Sequence, residues 1–242
     1  MSLYGLLIGI AIVIGIEYFN HINTVIPKTK LNFFTYGLII VSLIGARIYH
    51  VADSWHYYSH NLSQIINTRA GGLGIYGALI AGFLFILIFS LINRLNFQKI
   101  LSQIITIVPL GQAIGRWGNY INTEGFGIPT YIDIGQYVPP QFRPLRFSSF
   151  AYFHPVWLYE SLLDLFLFLF LISRKDKTNN FPFYLIVYGI IRFLMEFLRW
   201  DTWNYSGIKI AQVISLLAVF MGIILTLYNY RPKKGKNTPL SI

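Results

Sequence analysis

Seven stretches of this 242-residue chain are expected to be apolar and long enough to cross roughly 30 Å of hydrocarbon: about Leu3 to Tyr18, Phe33 to Val51, Gly72 to Ile92, Ile100 to Gly115, Pro155 to Ile172, Phe181 to Leu198 and Ile208 to Tyr228. With 55% hydrophobic and 12% charged residues the chain lacks the polar surface a soluble domain of this size needs. The expectation is an all-α polytopic membrane protein of seven transmembrane helices. Residues 1–242 form one integral membrane domain in this reading, and the first span stays in the mature protein, because no basic n-region or small-residue cleavage site marks a signal peptide.

Seven crossings put the termini on opposite sides. With the amino terminus outside, the inner connections and tail hold Lys28, Lys30, Arg94, Lys99, Arg174, Lys175, Lys177, Arg231, Lys233, Lys234 and Lys236, in accord with the positive-inside rule. The basic residues left outside or within spans are arginines (Arg47, Arg69, Arg116, Arg143, Arg146, Arg192 and Arg199) with Lys209 the exception. A guanidinium holds phosphate oxygens with a planar fork and keeps its charge when partly buried, so this half suits a phosphate-bearing substrate. Arg47 and Arg69, near span ends, are expected to snorkel or to pair with acids. Residues 117–154, rich in Pro and Tyr, read as a small extracytoplasmic cap between helices 4 and 5, too short for a core of its own. Residues 231–242 read as a basic cytoplasmic tail.

The net charge of +10 is spread over loops and span ends, with no basic stripe interleaved with aromatics, so no nucleic-acid partner is expected. The absence of cysteine excludes disulfides and a protein-borne thiol nucleophile. The histidines lack zinc-type spacing; no metal and no cofactor are expected. Glycines at i, i+4 in spans one, three and four (Gly5 and Gly9 or Gly111 and Gly115, for example) suggest close helix packing.

Polar groups inside such spans cost about 2.5 to 3.5 kcal/mol each at the bilayer centre and normally face a protein-lined cavity. The strongest cluster is Gly115-Arg116-Trp-Gly118-Asn119-Tyr-Ile-Asn122-Thr-Glu124-Gly-Phe-Gly127, where an apolar helix runs into Arg, Asn and Glu. A second is Arg192, Glu196 and Arg199, at i, i+4 and i+7 on one helical face. An Arg and a Glu one turn apart can simply neutralise each other, but two clusters favour a site. His154-Pro155-Val-Trp157-Leu-Tyr159-Glu160 opens the fifth span, followed by Asp164, and His154 brings an imidazole with an ordinary pKa of about 6.5. Tyr76 lies within Gly71-Gly72-Leu-Gly74-Ile-Tyr76-Gly77, where a buried hydroxyl needs a partner.

At these residues the sequence resembles the bacterial prolipoprotein diacylglyceryl transferase family. The resemblance rests on Tyr4-Gly5, Gly45-Ala-Arg47, the Gly71 to Gly77 run, the Gly115 to Gly127 signature, the His154 to Glu160 run, and Arg192 to Arg199 followed by Gln212 and Ser215. It implies a multi-pass enzyme of the bacterial cytoplasmic (inner) membrane that moves the diacylglyceryl group of phosphatidylglycerol onto the lipobox cysteine thiol of a prolipoprotein, forming a thioether and releasing glycerol phosphate. The partners implied are that lipid and the prolipoprotein signal peptide. The nucleophile then belongs to the substrate. A monomer is the default expectation.

By that resemblance Arg116 matches the lipid-binding arginine and is expected to grip the phosphate. The two polar clusters suggest that Arg192 offsets charge on the leaving oxygen, that Asn119 and Glu124 orient the head group or Arg116, and that Glu196 fixes Arg192. Asn122, Gly127, Tyr4 and Arg199 complete the expected substrate-binding set, with Tyr76 and His154 as further catalytic candidates. Some relatives carry histidine where this chain has Tyr76. A free thiol has a pKa of about 8.5 and tyrosine one near 10, so tyrosine is a poor base at neutral pH. Either Tyr76 positions substrate, or His154 or Glu196 takes the proton, or the field of Arg116 and Arg192 lowers the thiol's own pKa; the last is the expectation. The rival from another class is a non-catalytic phospholipid-binding or lipid-moving membrane protein.

Overall fold

A computed structural model describes residues 3–68 and 71–229, with side chains described from residue 5. The Tyr4 side chain, Arg69 and the basic tail at 231–242 therefore lie outside the described residues. The chain is mostly helical: α1 (Leu3–Ile22), α2 (Lys28–Asp53), α3 (Ile75–Ile92), α4 (Phe97–Ile105), α5 (Val108–Ile121), α6 (Val156–Ser173), α7 (Phe181–Met195) and α8 (Ile210–Asn229). Five of these, α1, α2, α3, α6 and α8, are long and apolar enough to cross a membrane, as befits a polytopic membrane protein.

The other two expected crossings look different. The span expected at Ile100 to Gly115 is two helices, broken at residues 106–107. Pro109, in the first turn of α5, has no N–H to donate and its ring would collide with the carbonyl four residues back, so a helix can begin there but not run through. The helix α5 then continues to Ile121, so Arg116 and Asn119 are helical rather than part of an irregular segment. The sixth stretch gives a 15-residue helix ending at Met195, followed by a tight turn in which the Phe197, Leu198 and Arg199 amides donate to carbonyls three residues back.

The chain divides into two compact units, Ile16–Ile104 and Met1–Gly15 with Ile105–Ile242. In the first, α2 lies along α3, and aromatic rings fill the contact: Phe34, fully buried, packs on Phe89 at 4.8 Å, Phe85 at 5.7 Å and Phe19 at 5.8 Å between centroids. Farther along, Gly45 faces Gly77 backbone to backbone. A Cβ on Gly45 would stand 2.6 Å from the Gly77 carbonyl oxygen, and one on Gly77 would strike the Gly45 carbonyl. Neither can be relieved by a rotamer. Gly77→Ala is expected to cost about 1 to 3 kcal/mol by overpacking, read as a fall in the midpoint of thermal unfolding, whereas Gly9→Ala, with nothing within 4 Å, should leave it unmoved. The expected close packing holds in the third stretch, at Gly77 and at Gly82, whose Cβ would meet the Ser42 hydroxyl at 2.8 Å, but is corrected for Gly9, Gly111 and Gly115, where no described atom comes within 4 Å of a built Cβ.

Arg47 is a second correction. It neither snorkels nor pairs with an acid among the described residues. At 9% exposure, its guanidinium donates to the carbonyls of Gln64, Ile65, Asn67, Gly71 and Gly72 at 2.6 to 3.1 Å and lies over the Tyr58 ring. The segment after the short helix Trp55–Tyr58 holds one 3-10 turn, Leu62–Ile65, and the carbonyls at its end and beyond it turn inward onto this charge. Snorkelling places an arginine head in water; here backbone oxygens take water's place.

In the second unit α5 packs on α6, α6 on α7 and α7 on α8. Leu167 and Leu171 of α6 are fully buried against Tyr184 and Ile191 of α7. Where α8 crosses α7, Gly189 and Gly222 admit the partner backbone, each with a carbonyl 2.7 to 2.9 Å from where its Cβ would be. Asn180, fully buried at the start of α7, donates to the Leu171 carbonyl and to the Thr106 hydroxyl in the break between α4 and α5. Residues 122–155 do carry a small core, contrary to expectation. Phe126, Val138 and Phe153 are buried together, with Phe147, Phe150 and Trp200 packed on them, beside the two-residue ladder of β1 (Gln136–Tyr137) and β2 (Tyr152–Phe153). Trp200 comes from beyond α7, which is why a reading confined to the segment itself misses this core. A second short ladder joins β3 (Asn204–Tyr205) to β4 (Ile208–Lys209).

Candidate active site

In the second unit three helices deliver charge to one place. From α5 comes Arg116, from α6 Glu160, and from the end of α7 Arg192, Glu196 and, past the turn, Arg199. Ser161 pins α6 to α5 by donating to the Ala113 carbonyl at 2.9 Å, so Glu160 emerges beside Arg116. The Glu160 carboxylate, with 2% of its surface exposed, accepts Arg116 Nε at 2.9 Å on one oxygen and Arg192 Nη1 at 2.6 Å on the other, with Arg199 Nη1 at 4.0 Å. Arg192 also donates to Glu196 at 3.0 Å, one turn on and 1% exposed. Three arginines thus share one buried carboxylate, and each guanidinium keeps about a fifth of its side chain open.

Arg199 forms a two-toothed pair with Asp201 at 3.2 Å. Burial works against its charge, but Asp201, with Glu160 and Glu196, outweighs that and holds its pKa above the ordinary value. Lys209 closes the turn, its ammonium donating to the carbonyls of Glu196 at 2.5 Å and Arg199 at 3.0 Å. Beside the carboxylates, Tyr184 and Tyr188 stack at 5.1 Å, and Gln112 donates to the Tyr184 hydroxyl. Such a cluster offers cationic forks that an incoming anion can take over from a carboxylate. It has no metal-holding trio of His, Cys, Asp and Glu among the described residues.

The sequence-expected residues divide. Arg116, Arg192, Glu196 and Arg199 come together; Glu196 holds Arg192 as the spacing suggested, although Arg199 arrives through the turn rather than along a continuous helix. Arg116 takes its carboxylate from Glu160 and not from Glu124, which is exposed beyond the end of α5 with its amide donating to the Asn119 carbonyl at 2.7 Å. Asn119 is half-buried and Asn122 exposed at the same helix end. Thr123, a β-branched residue with φ of 56°, and Gly125, with φ of 67°, carry the chain through the turn that follows.

Gly127 is fixed by its neighbours. Its amide donates to the His154 carbonyl at 2.8 Å, and a Cβ would meet the Leu198 carbonyl at 2.6 Å and Val156 at 2.7 Å. Because Leu198 immediately precedes Arg199, Gly127→Ala should displace that arginine as well as destabilise by about 1 to 3 kcal/mol; the check is loss of turnover together with a lowered unfolding midpoint, and an unchanged pair of values would remove Gly127 from the site. His154, half-buried, has its Nδ1 3.3 Å from the Tyr159 hydroxyl. Tyr76 belongs to the other unit, at the start of α3, where it is 64% exposed with its ring near Tyr49. The expectation that it is buried is corrected, because the span starts at Ile75 and not at Gly72.

Glu160, the centre of the cluster, was quoted in the sequence only as part of a motif. The available signal was a carboxylate with Asp164 one turn on, inside an apolar helix, where acids rarely stand without a partner.

Apolar spans and three part-buried arginines gathered on a buried carboxylate define a multi-pass membrane protein with a cationic cluster between its helices. The chain is matched over residues 1–228 by the model of the prolipoprotein diacylglyceryl transferase family, and it belongs to that family. It is 36% identical over 240 residues to the phosphatidylglycerol--prolipoprotein diacylglyceryl transferase of Acaryochloris marina, covering 96% of this chain and 88% of the relative. The proteins of the same name from Thermosynechococcus vestitus and Synechocystis sp. are 35% and 37% identical, over 98% and 96% of this chain and 92% and 86% of their own.

Proposed function

We propose that this protein transfers the diacylglyceryl group of phosphatidylglycerol to the thiol of the lipobox cysteine in a prolipoprotein signal peptide. The observation that carries this reading is the convergence of Arg116, Arg192 and Arg199 on the single Glu160 carboxylate. Each arginine is already partly desolvated and oriented, so an entering phosphodiester need only displace a carboxylate oxygen to be gripped. Arg116 takes the phosphate. Arg192, held by Glu196, faces the oxygen on which charge develops as the cysteine sulfur attacks the glycerol carbon. A carbon–sulfur bond forms, the carbon–oxygen bond to phosphate breaks, its electron pair stays on glycerol phosphate, and the thiol proton is released.

Asn119, Asn122, Glu124 and Gly127 shape the head-group side of the site, and Tyr4 and His154 are positioning groups. The field of the two arginines favours the thiolate without a dedicated base. In the membrane we place the amino terminus outside, the carboxyl terminus in the cytoplasm and residues 117–154 as an extracytoplasmic cap. The α4–α5 pair and α7 complete seven crossings of one membrane domain, a monomer in the bacterial cytoplasmic membrane.

The test is mass spectrometry of a lipobox peptide incubated with the purified protein and phosphatidylglycerol. A diacylglyceryl mass gain on the peptide cysteine supports the transferase. Binding of the lipid with no gain in mass would return the protein to the class of lipid binders.

A further inference from the structure

One buried acid has no part in the mechanism above. Asp164 lies one turn after Glu160 on α6, is 0% exposed, and neither carboxyl oxygen has a hydrogen-bond partner. It makes no ion pair with a described residue, although Arg116 on α5, Arg192 on α7 and its own neighbour Glu160 all act on it electrostatically. From α7 it also faces Tyr184 and Tyr188. The Gln112 Oε1 atom, on the amide that donates to Tyr184, is likewise an acceptor with nothing to accept. An ionised carboxylate without donors is among the most costly groups to bury, and such a group sheds its charge by taking a proton. A proton on Asp164 also turns one of these orphaned acceptors into a donor.

The charge inventory gives this a consequence. Within the linked cluster, from which the exposed Glu124 stands apart, Arg116, Arg192, Arg199 and Lys209 supply four positive charges, and Glu160, Glu196 and Asp201 three negative ones, leaving one positive charge if Asp164 is neutral and none if it is ionised. We infer that Asp164 is held as the neutral carboxylic acid and thereby sets this cluster at one net positive charge, the amount that a single phosphodiester cancels. It is a positioning residue: it never touches the lipid, and acts through Glu160 and the arginines. The released product is a phosphate monoester, which carries about 1.5 to 2 negative charges at neutral pH. It overfills the site and is driven out.

This inference rests on the phosphodiester-transfer reading, but its test separates the two. In infrared spectra of the full-length protein in detergent, a protonated carboxylic acid gives a carbonyl stretch that a carboxylate lacks. That band is expected in the wild type, should shift when aspartate is carbon-13-labelled at its side-chain carboxyl, and should vanish in Asp164→Asn. Absence of the band overturns the inference whether or not any lipid is turned over. Kinetically, asparagine mimics the neutral acid, so KM for phosphatidylglycerol should stay within about twofold of wild type. If Asp164 were ionised, removing its charge would add a positive charge to the site and lower KM severalfold, which would equally overturn it.

Discussion

Glu160→Gln is expected to lose turnover by on the order of 10²-fold and to lower the unfolding midpoint as well. Glutamine keeps the volume, so the change isolates one negative charge. That charge is shared by Arg116 at 2.9 Å and Arg192 at 2.6 Å, with Arg199 at 4.0 Å, and all three would be left facing one another around a neutral amide. Removing one partner of a buried pair costs about 3 to 5 kcal/mol; the arginines here keep about a fifth of their side chains open, so the lower end applies. The rate effect follows from geometry, since misplacing a substrate-holding group by about 1 Å can cost about 10²-fold. The measurement is peptide lipidation rate alongside thermal unfolding. Wild-type turnover in Glu160→Gln would mean that the cluster only holds the helices together.

Arg116→Ala should behave differently, losing about 10² to 10³-fold in turnover, the usual effect of removing a donor aimed at developing charge, with little change in the unfolding midpoint. Glu160 would keep Arg192, and the opened space lies where the Arg116 side chain is already partly exposed. Arg116→Lys should recover only part of the loss, since an ammonium cannot present two parallel donors. The two arginines should also separate kinetically. If Arg116 holds the phosphate in the ground state, its lysine variant raises KM; if Arg192 meets charge only as the leaving group departs, its lysine variant lowers kcat. Identical kinetic changes in both would contradict the division of roles.

How much of this could be read from residues alone depended on the distance over which they act. Hydropathy located α2, α3, α6 and α8 to within a few residues at most ends, because each is long enough to declare itself. The break before α5 was also legible, in Pro109, but a run of apolar residues on both sides masks it. Within the site, the Arg192–Glu196 pair follows from one helical turn. The Glu160 pairings do not: they join separate helices, and nothing in a single sequence says which arginine crosses to which acid. The glycines make the same point, since Gly111 and Gly115 have helix-packing spacing and touch nothing, whereas Gly45 and Gly77, which do touch, sit on different helices.

The loop gathered around Arg47 is built like a coordination sphere whose central cation is covalently part of α2. Five carbonyl oxygens surround the guanidinium as they would a bound metal ion, and no strand or long helix stands behind them. A free ion would let such a loop form and dissolve with its concentration; this one cannot leave. The loop is therefore tethered to the rotation of α2 about its own axis, and any ligand that turned that helix would move the backbone at Gln64, Ile65, Asn67, Gly71 and Gly72 without touching it.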